Sequence, residues 1–168
     1  IPWFASVLDK TSLEQMIELD PVLVKLPSTI SRKADYLTSV NKFYKGDLVV
    51  STGYTDDTYV RFIQETFLKG IDRNLWLLHA TSSYPTPEAE AQVAVVRGYN
   101  KLSENNPSII PGYSSHDMDD LIPMLSVSAG ARMIEKHVKL GDAEWIHFDE
   151  VALDLESGRF KEFVDTSQ

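Results

Sequence analysis

Hydroxyls, one lysine and several imidazoles recur at one kind of place in this sequence, the ends of short apolar runs. Asp9 follows "WFASVL". Lys25 closes "VLVK", with Ser28 just beyond. Ser51 and Thr52 follow "LVV" and precede Gly53. His79, Thr81, Ser82 and Tyr84 follow "LWLL". Ser114, Ser115 and His116 follow "IIPGY". Glu135, Lys136 and His137 follow "RMI", with Asp149 further on. A lysine, several hydroxyls and loop N–H groups near helix starts are the donors that a phosphate takes. Two imidazoles from neighbouring runs, His116 and His137, are a starting set for a divalent metal, with Asp149 a candidate carboxylate neighbour.

Each of these residues also has a plainer reading. Ser51-Thr52-Gly53 reads equally as an ordinary strand-to-helix turn with a cap. Lys25 reads as a side chain running out to solvent. His79 is as well explained by a hydrogen-bonded core histidine as by a ligand. His116 and His137 form no local motif, so spacing alone does not pair them. Lys136 neighbours His137 on an extended segment and is expected on the opposite face, as a structural residue. Asp117, Asp119 and Asp120 open a helix and are expected to serve its N-terminal dipole.

The elements that must position these groups alternate along the chain. Strand-length apolar runs fall at residues 3–8, 22–25, 48–51, 75–79, 108–113 and 132–138. Most are uninterrupted, which suits strands buried on both faces of a parallel sheet. Helical segments lie between them. "DKTSLEQMIEL" offers Thr11 or Ser12 as N-cap. "SRKADYLTSVNKFY" spaces Ala34, Leu37, Val40 and Tyr44 at helical intervals. "TDDTYVRFIQETFLKG" carries acids first and Gly70 last, and "TPEAEAQVAVVRGYNKL" opens on Pro87 and Glu88. "DMDDLIPMLSVSAGA" and "LESGRFKEFVD" complete the series. Six strand–helix pairs predict an α/β fold of the (β/α) TIM-barrel type, a single domain over residues 1–168. Eight units close such a barrel, so about six are expected here, with the first two missing and two open sheet edges.

Bulk properties narrow the function classes. The chain has 168 residues, 43% hydrophobic and 24% charged, with a formal net charge of -9. That balance argues against nucleic acid or an anionic membrane as partner, since both need clustered Lys and Arg. With no Cys there is no disulfide and no thiolate ligand. No apolar run approaches the ~20 residues of a membrane span and no secretory leader is seen, so a cytoplasmic protein is expected. The first residue is Ile and the first segment already reads as a strand, as in part of a longer chain.

The motifs resemble those of the sialic acid synthase (NeuB-like) family, enzymes that make N-acetylneuraminate and related nonulosonates. "LLHATSSYPTP" is similar to the family's "LLHCTSNYPTP", "VVSTG" to "ILSTGM", "VKLPS" to "YKIASGE", "PGYSSHDMD" to "VGYSDHTLG", and "GARMIEKHVKL" to "GAKVIEKHFTL". The order and intervals agree over nearly the whole chain. The resemblance implies a TIM barrel that condenses phosphoenolpyruvate with an N-acyl hexosamine such as N-acetylmannosamine. It implies a divalent metal, manganese first and magnesium as the alternative, and a homo-oligomer. Carried over position by position, Lys25, Ser28, Ser51 and Ser114 would contact phosphoenolpyruvate, and His116 and His137 would bind the metal. Ser82 and Tyr84 would line the site, and Asp149 would sit near the sugar. Lys25, Tyr84 and Asp149 are the expected catalytic residues.

Departures stand beside the matches. Ile30 replaces the family's acid after "KIASG", Ser115 its Asp of "SDH", and Ser83 its Asn of "NYP". The family's first two strands and its C-terminal antifreeze-like domain have no counterpart in these residues. Two other readings therefore remain open. One is a Schiff-base aldolase with Lys25 as nucleophile. The other is a non-catalytic partial barrel that assembles with itself or a partner through its open edges.

Overall fold

In a computed structural model of the chain, residues 2–141 and 149–167 are described. The Asp149 side chain lies outside the described residues. Six strands, β1 (Ala5–Ser6), β2 (Val24–Leu26), β3 (Leu48–Ser51), β4 (Leu75–Ala80), β5 (Ile109–Ser115) and β6 (Ile134–Lys136), form one parallel sheet in sequential order. Helices α1 (Lys10–Leu19), α2 (Ala34–Phe43), α3 (Asp57–Phe67), α4 (Ala94–Asn105) and α5 (Leu121–Ser128) connect successive strands, and α6 (Arg159–Thr166) follows. A second small sheet pairs β7 (Val138–Lys139) with β8 (Leu153–Asp154), also in parallel. The expected run at 132–138 is thus split at His137. Its first part joins the main sheet and its last residue joins the small one.

The helix starts have local causes: those of α1 and α4 differ from expectation, and that of α3 carries the acids expected there. Asp9, rather than Thr11 or Ser12, caps α1. Its Oδ1 accepts the Ser12 N–H at 2.8 Å, and Ser12 Oγ accepts the Asp9 N–H at 3.2 Å, closing a capping box. Asp56 caps α3 by accepting from the Thr58 and Tyr59 N–H groups. The α4 segment forms only one 3₁₀ turn at Glu88–Glu90. Gln92 then takes a positive φ of 46°, and the α-helix begins at Ala94.

Strand alternation divides the side chains into two faces. Val24, Leu26, Leu48, Val50, Leu75, Leu77 and Ile109 face outward, where they pack with Leu13, Leu37, Val40, Val60, Ile63, Phe67 and Tyr99 from the helices. Leu23, Val49 and Leu78 face inward with Trp76 and Met133. The inward parity carries two of the expected site residues with it. Lys25 shares the side of Leu23, and Ser51 that of Val49. Register then sets Ala80 beside Ser114, and Ser114 beside Glu135. No helix among the described residues is long and apolar enough to cross a membrane.

The outer layer carries most of the close packing, so truncation there is costly. Phe67 is fully buried. Phe67→Ala is expected to lower unfolding free energy by about 3–5 kcal/mol in a urea titration. A loss below about 1 kcal/mol would contradict the packing described.

Candidate functional site at the strand ends

The C-terminal ends of β2, β5 and β6 bring a cation, a carboxylate and a hydroxyl into contact. Lys25 Nζ lies 2.5 Å from both carboxylate oxygens of Glu135, and Ser114 Oγ donates to Glu135 Oε1 at 2.7 Å. The lysine and glutamate side chains are 14% and 29% exposed, so the pair is only partly shielded from water. Burial raises the Glu135 pKa, but the Lys25 charge and the hydrogen bonds from Lys25 and Ser114 outweigh it. The net pKa lies below the ordinary carboxylate value. Ser51 Oγ, on the same inner face, is buried without a protein hydrogen-bond partner. A buried hydroxyl in that state is costly unless a ligand or water completes it.

A second group of serines is gathered by a glycine. Gly53 follows β3 with φ +53°, a conformation glycine adopts without strain. A Cβ placed there would stand 2.3 Å from Ser28 Cβ and 3.2 Å from Ser82 Oγ. The loop backbone therefore slots between Ser28 and Ser82, and any side chain at 53 would push them apart. This explains why the "STG" turn is more than a cap. Thr52 meanwhile points outward, donating to the Leu78 carbonyl at 3.1 Å and accepting from Tyr99 at 3.2 Å.

The two imidazoles converge. The ring centroids of His116 and His137 are 5.6 Å apart. Tyr84 lies over His116 at 3.9 Å with a tilt of 32°, and meets His137 edge-on at 5.9 Å. His116 Nδ1 sits 2.6 Å from the Thr81 carbonyl oxygen. A carbonyl only accepts, so Nδ1 carries the proton and Nε2 is left as the lone-pair nitrogen. Burial holds both imidazoles below their ordinary pKa. For His116 the neighbouring His137 adds to this, against the Thr81 hydrogen bond, and for His137 the Glu135 charge works against it. A lowered proton affinity in both rings, and in His116 one nitrogen tied to a carbonyl, suit histidine ligands of a divalent cation. The two side chains fit such a group. Among the described residues, however, no set of three His, Asp or Glu side chains forms a complete cage.

The remaining expectations resolve individually. His79 is a core residue on the outer face, its Nε2 2.9 Å from the Ala91 carbonyl oxygen. Lys136 points away from Glu135 and His137, as alternation requires. Asp117 does not serve the α5 terminus. It accepts from Tyr113 and Ser115 instead, while Asp119 accepts the Leu121 N–H and Asp120 pairs with Arg159. A cavity of about 750 Å³ opens between the β3–α3 and β4–α4 loops; of the residues expected at the strand ends it is lined by Thr52, His79, Thr81 and Ser82, and not by Lys25, the paired imidazoles or Ser114. Glu135 is the residue of this cluster to which sequence reasoning assigned no role. The signal was present, because Glu135 stands two residues before His137 and so shares its face.

A parallel α/β sheet curled into part of a barrel, with a polar site at the carboxyl ends of its strands, defines the class: a partial (β/α)-barrel domain. The chain belongs to the NeuB family, whose model matches residues 1–168. It is 33% identical over 162 residues to N-acetylneuraminate-9-phosphate synthase of Mus musculus, covering 95% of this chain and 43% of that protein. It is 29% identical over 162 residues to pseudaminic acid synthase of Campylobacter jejuni, covering 96% of this chain and 45% of that protein. The fold superimposes on the spore coat polysaccharide biosynthesis protein spsE of Bacillus subtilis with a TM-score of 0.84 and 23% identity, covering 99% of this chain and 45% of that one. The chain thus spans less than half the length of these relatives.

The Lys25–Glu135 pair can be weighed directly. In a double-mutant cycle of Lys25→Met and Glu135→Gln, a coupling of about 1–3 kcal/mol is expected from urea denaturation, as for charged hydrogen bonds. A coupling near zero would show that the contact contributes nothing to the fold.

Proposed function

We propose that this chain forms the greater part of the catalytic barrel of an enzyme condensing phosphoenolpyruvate and water with an N-acyl hexosamine, the water adding at the phosphate-bearing carbon, to give a sialic-acid-like nonulosonate and inorganic phosphate. The observation that carries the reading is the meeting of two imidazoles, His116 and His137, with the Lys25, Glu135 and Ser114 cluster at one mouth of the sheet. Membership of the NeuB family supports it.

In this reading Lys25 and the hydroxyls of Ser28, Ser51, Ser82 and Ser114 hold the phosphate and carboxylate of phosphoenolpyruvate. Ser51 Oγ gains the partner it lacks. A divalent cation, manganese or magnesium, held by His116 and His137 would polarise the aldehyde of the open-chain sugar. Tyr84 covers His116 at the mouth, where its ring would exclude water from one side of the reacting aldehyde. Asp149 is assigned to the sugar side. Fixing both substrates on one rim converts an encounter of two molecules into a step within one complex. Glu135 engages the Lys25 ammonium through both oxygens, which suits a cation that binds anions better than an amine that attacks a carbonyl. The Schiff-base reading is therefore the weaker one.

The test is phosphate release from phosphoenolpyruvate and N-acetylmannosamine by the full-length protein. Release is expected to stop on chelation, to return with Mn2+, and to fall at least 100-fold in His137→Ala. Chelator-resistant release would refute the metal assignment. Absence of release with every N-acyl hexosamine tried would refute the synthase reading.

A second reading, self-assembly, has one observation in its favour: Trp3, Phe4 and Leu8 flank the edge strand β1 and are 48%, 39% and 48% exposed. Assembly through that edge predicts a dimer by light scattering that Phe4→Glu dissociates. A monomer at every concentration would exclude it.

A further inference from the structure

Behind the paired imidazoles, on the opposite face of the sheet, lies a buried polar network that the proposed chemistry does not use. Tyr113 donates to Asp117 Oδ2 at 2.9 Å, and Ser115 Oγ donates to the same oxygen at 2.8 Å. Lys136 Nζ donates to Ser115 Oγ at 3.1 Å and to the backbone carbonyl of Asp117. Tyr113, Ser115 and Asp117 are 0%, 1% and 2% exposed. Burial pulls the Lys136 pKa down, and the charges of Asp117, Asp120 and Asp119 work against that pull.

The placement along the chain is what matters. Ser115 and Asp117 flank His116, and Lys136 immediately precedes His137. The hydrogen-bonded ladder between β5 and β6 runs from Tyr113–Ile134 to Ser115–Lys136 and ends there. His116 and His137 are each the first residue past the end of that ladder. No strand pairing fixes their separation. On the inner face Ser114 reaches Glu135 and Tyr84 packs against both rings, and on the outer face the contacts that cross from one segment to the other include those of Lys136 with Ser115 and Asp117. The Lys136 contacts join the direct neighbours of the two histidines on the outer face, while the rings meet on the inner face.

We propose that Lys136 is a positioning residue: by binding Ser115 and the Asp117 carbonyl it sets the separation of His116 and His137, and thereby the affinity of the pair for a divalent cation. The second half of that statement rests on the metal reading given above, and the first half does not. Outer contacts that orient metal ligands typically change affinity about 10–100-fold when removed. Lys136→Met keeps the length of the side chain and deletes its donors.

The experiment compares wild-type full-length protein with Lys136→Met, Lys136→Arg and the control Tyr99→Phe, which loses a buried hydrogen bond far from the imidazoles. Two quantities are read: Mn2+ affinity by electron paramagnetic resonance, and the cross-ring nuclear Overhauser effect between His116 and His137 in metal-free protein. Lys136→Met is expected to bind Mn2+ at least 10-fold more weakly and to lose the cross-ring signal. Lys136→Arg should recover part of both. Tyr99→Phe should lower the melting temperature yet leave both unchanged. A Lys136→Met protein with wild-type Mn2+ affinity and an intact cross-ring signal would overturn the proposal, whatever its melting temperature. Should the wild type bind no Mn2+, the metal reading fails, and the cross-ring signal alone decides the positioning role. Should Lys136→Met not fold, Ser115→Ala removes the bridging hydroxyl only and carries the same comparison, with a several-fold loss expected and no loss overturning the proposal.

Discussion

A lysine on β2 and a glutamate on β6 stand four strands apart in sheet order, yet their charged atoms are 2.5 Å from one another. Adjacent strands lie about 4.8 Å apart, so in a flat sheet the two would be separated by roughly four such spacings. They meet because the sheet curls, and their contact spans the mouth of that curl. Everything else at the site depends on this curvature. It turns the inner faces of distant strands toward one another and gathers Ser114, the two imidazoles and Tyr84 around the same centre. The ion pair is partly shielded, so its direct contribution is modest. Under the proposed function, this is the point at which a substrate anion would compete for the ammonium.

The two faces of the sheet divide the labour. The outer face is close-packed with aliphatic and aromatic side chains from the helices, and it supplies the main hydrophobic stabilisation. The inner face has a much smaller apolar cluster, and toward the strand ends it turns polar. A polar network also interrupts the outer face at one place, beside β5 and β6, where Tyr113, Ser115, Lys136 and one carboxylate oxygen of Asp117 are joined by hydrogen bonds, while the other oxygen, Asp117 Oδ1, is buried without a partner. Networks of this kind are stabilising only when nearly all members are bonded. This one lies directly behind the histidines, where the proposed positioning role would act.

The departures from family pattern become intelligible at this level. Ser115 stands where a carboxylate would be expected from the family motif, while Asp117 supplies a carboxylate two residues later. The side chains at 115 and 117 both reach the outer face, so acid and hydroxyl meet there. Ile30, in place of an acid, is fully buried in the outer core and takes no part in the site. A polar position has been converted into packing there.

The order of strands and helices, the parallel sheet and the place of Lys25, Ser51, Ser114 and His137 at strand ends were legible in the sequence, because they follow from short-range patterning; which face each side chain takes was not, because most of the runs are apolar throughout. The separation of Lys136 from His137 onto opposite faces was legible as well. Local chemistry was read less well. The α1 cap is Asp9 because a carboxylate and Ser12 close a reciprocal box, and α4 starts late because Gln92 breaks the turn. What only the tertiary structure decided are the meetings between segments distant along the chain: Lys25 with Glu135, Gly53 between Ser28 and Ser82, and Asp117 turned toward Tyr113 instead of α5. These depend on the curl of the whole sheet and on where each ladder ends, and both are cooperative properties of all the strands together that no local run of residues encodes.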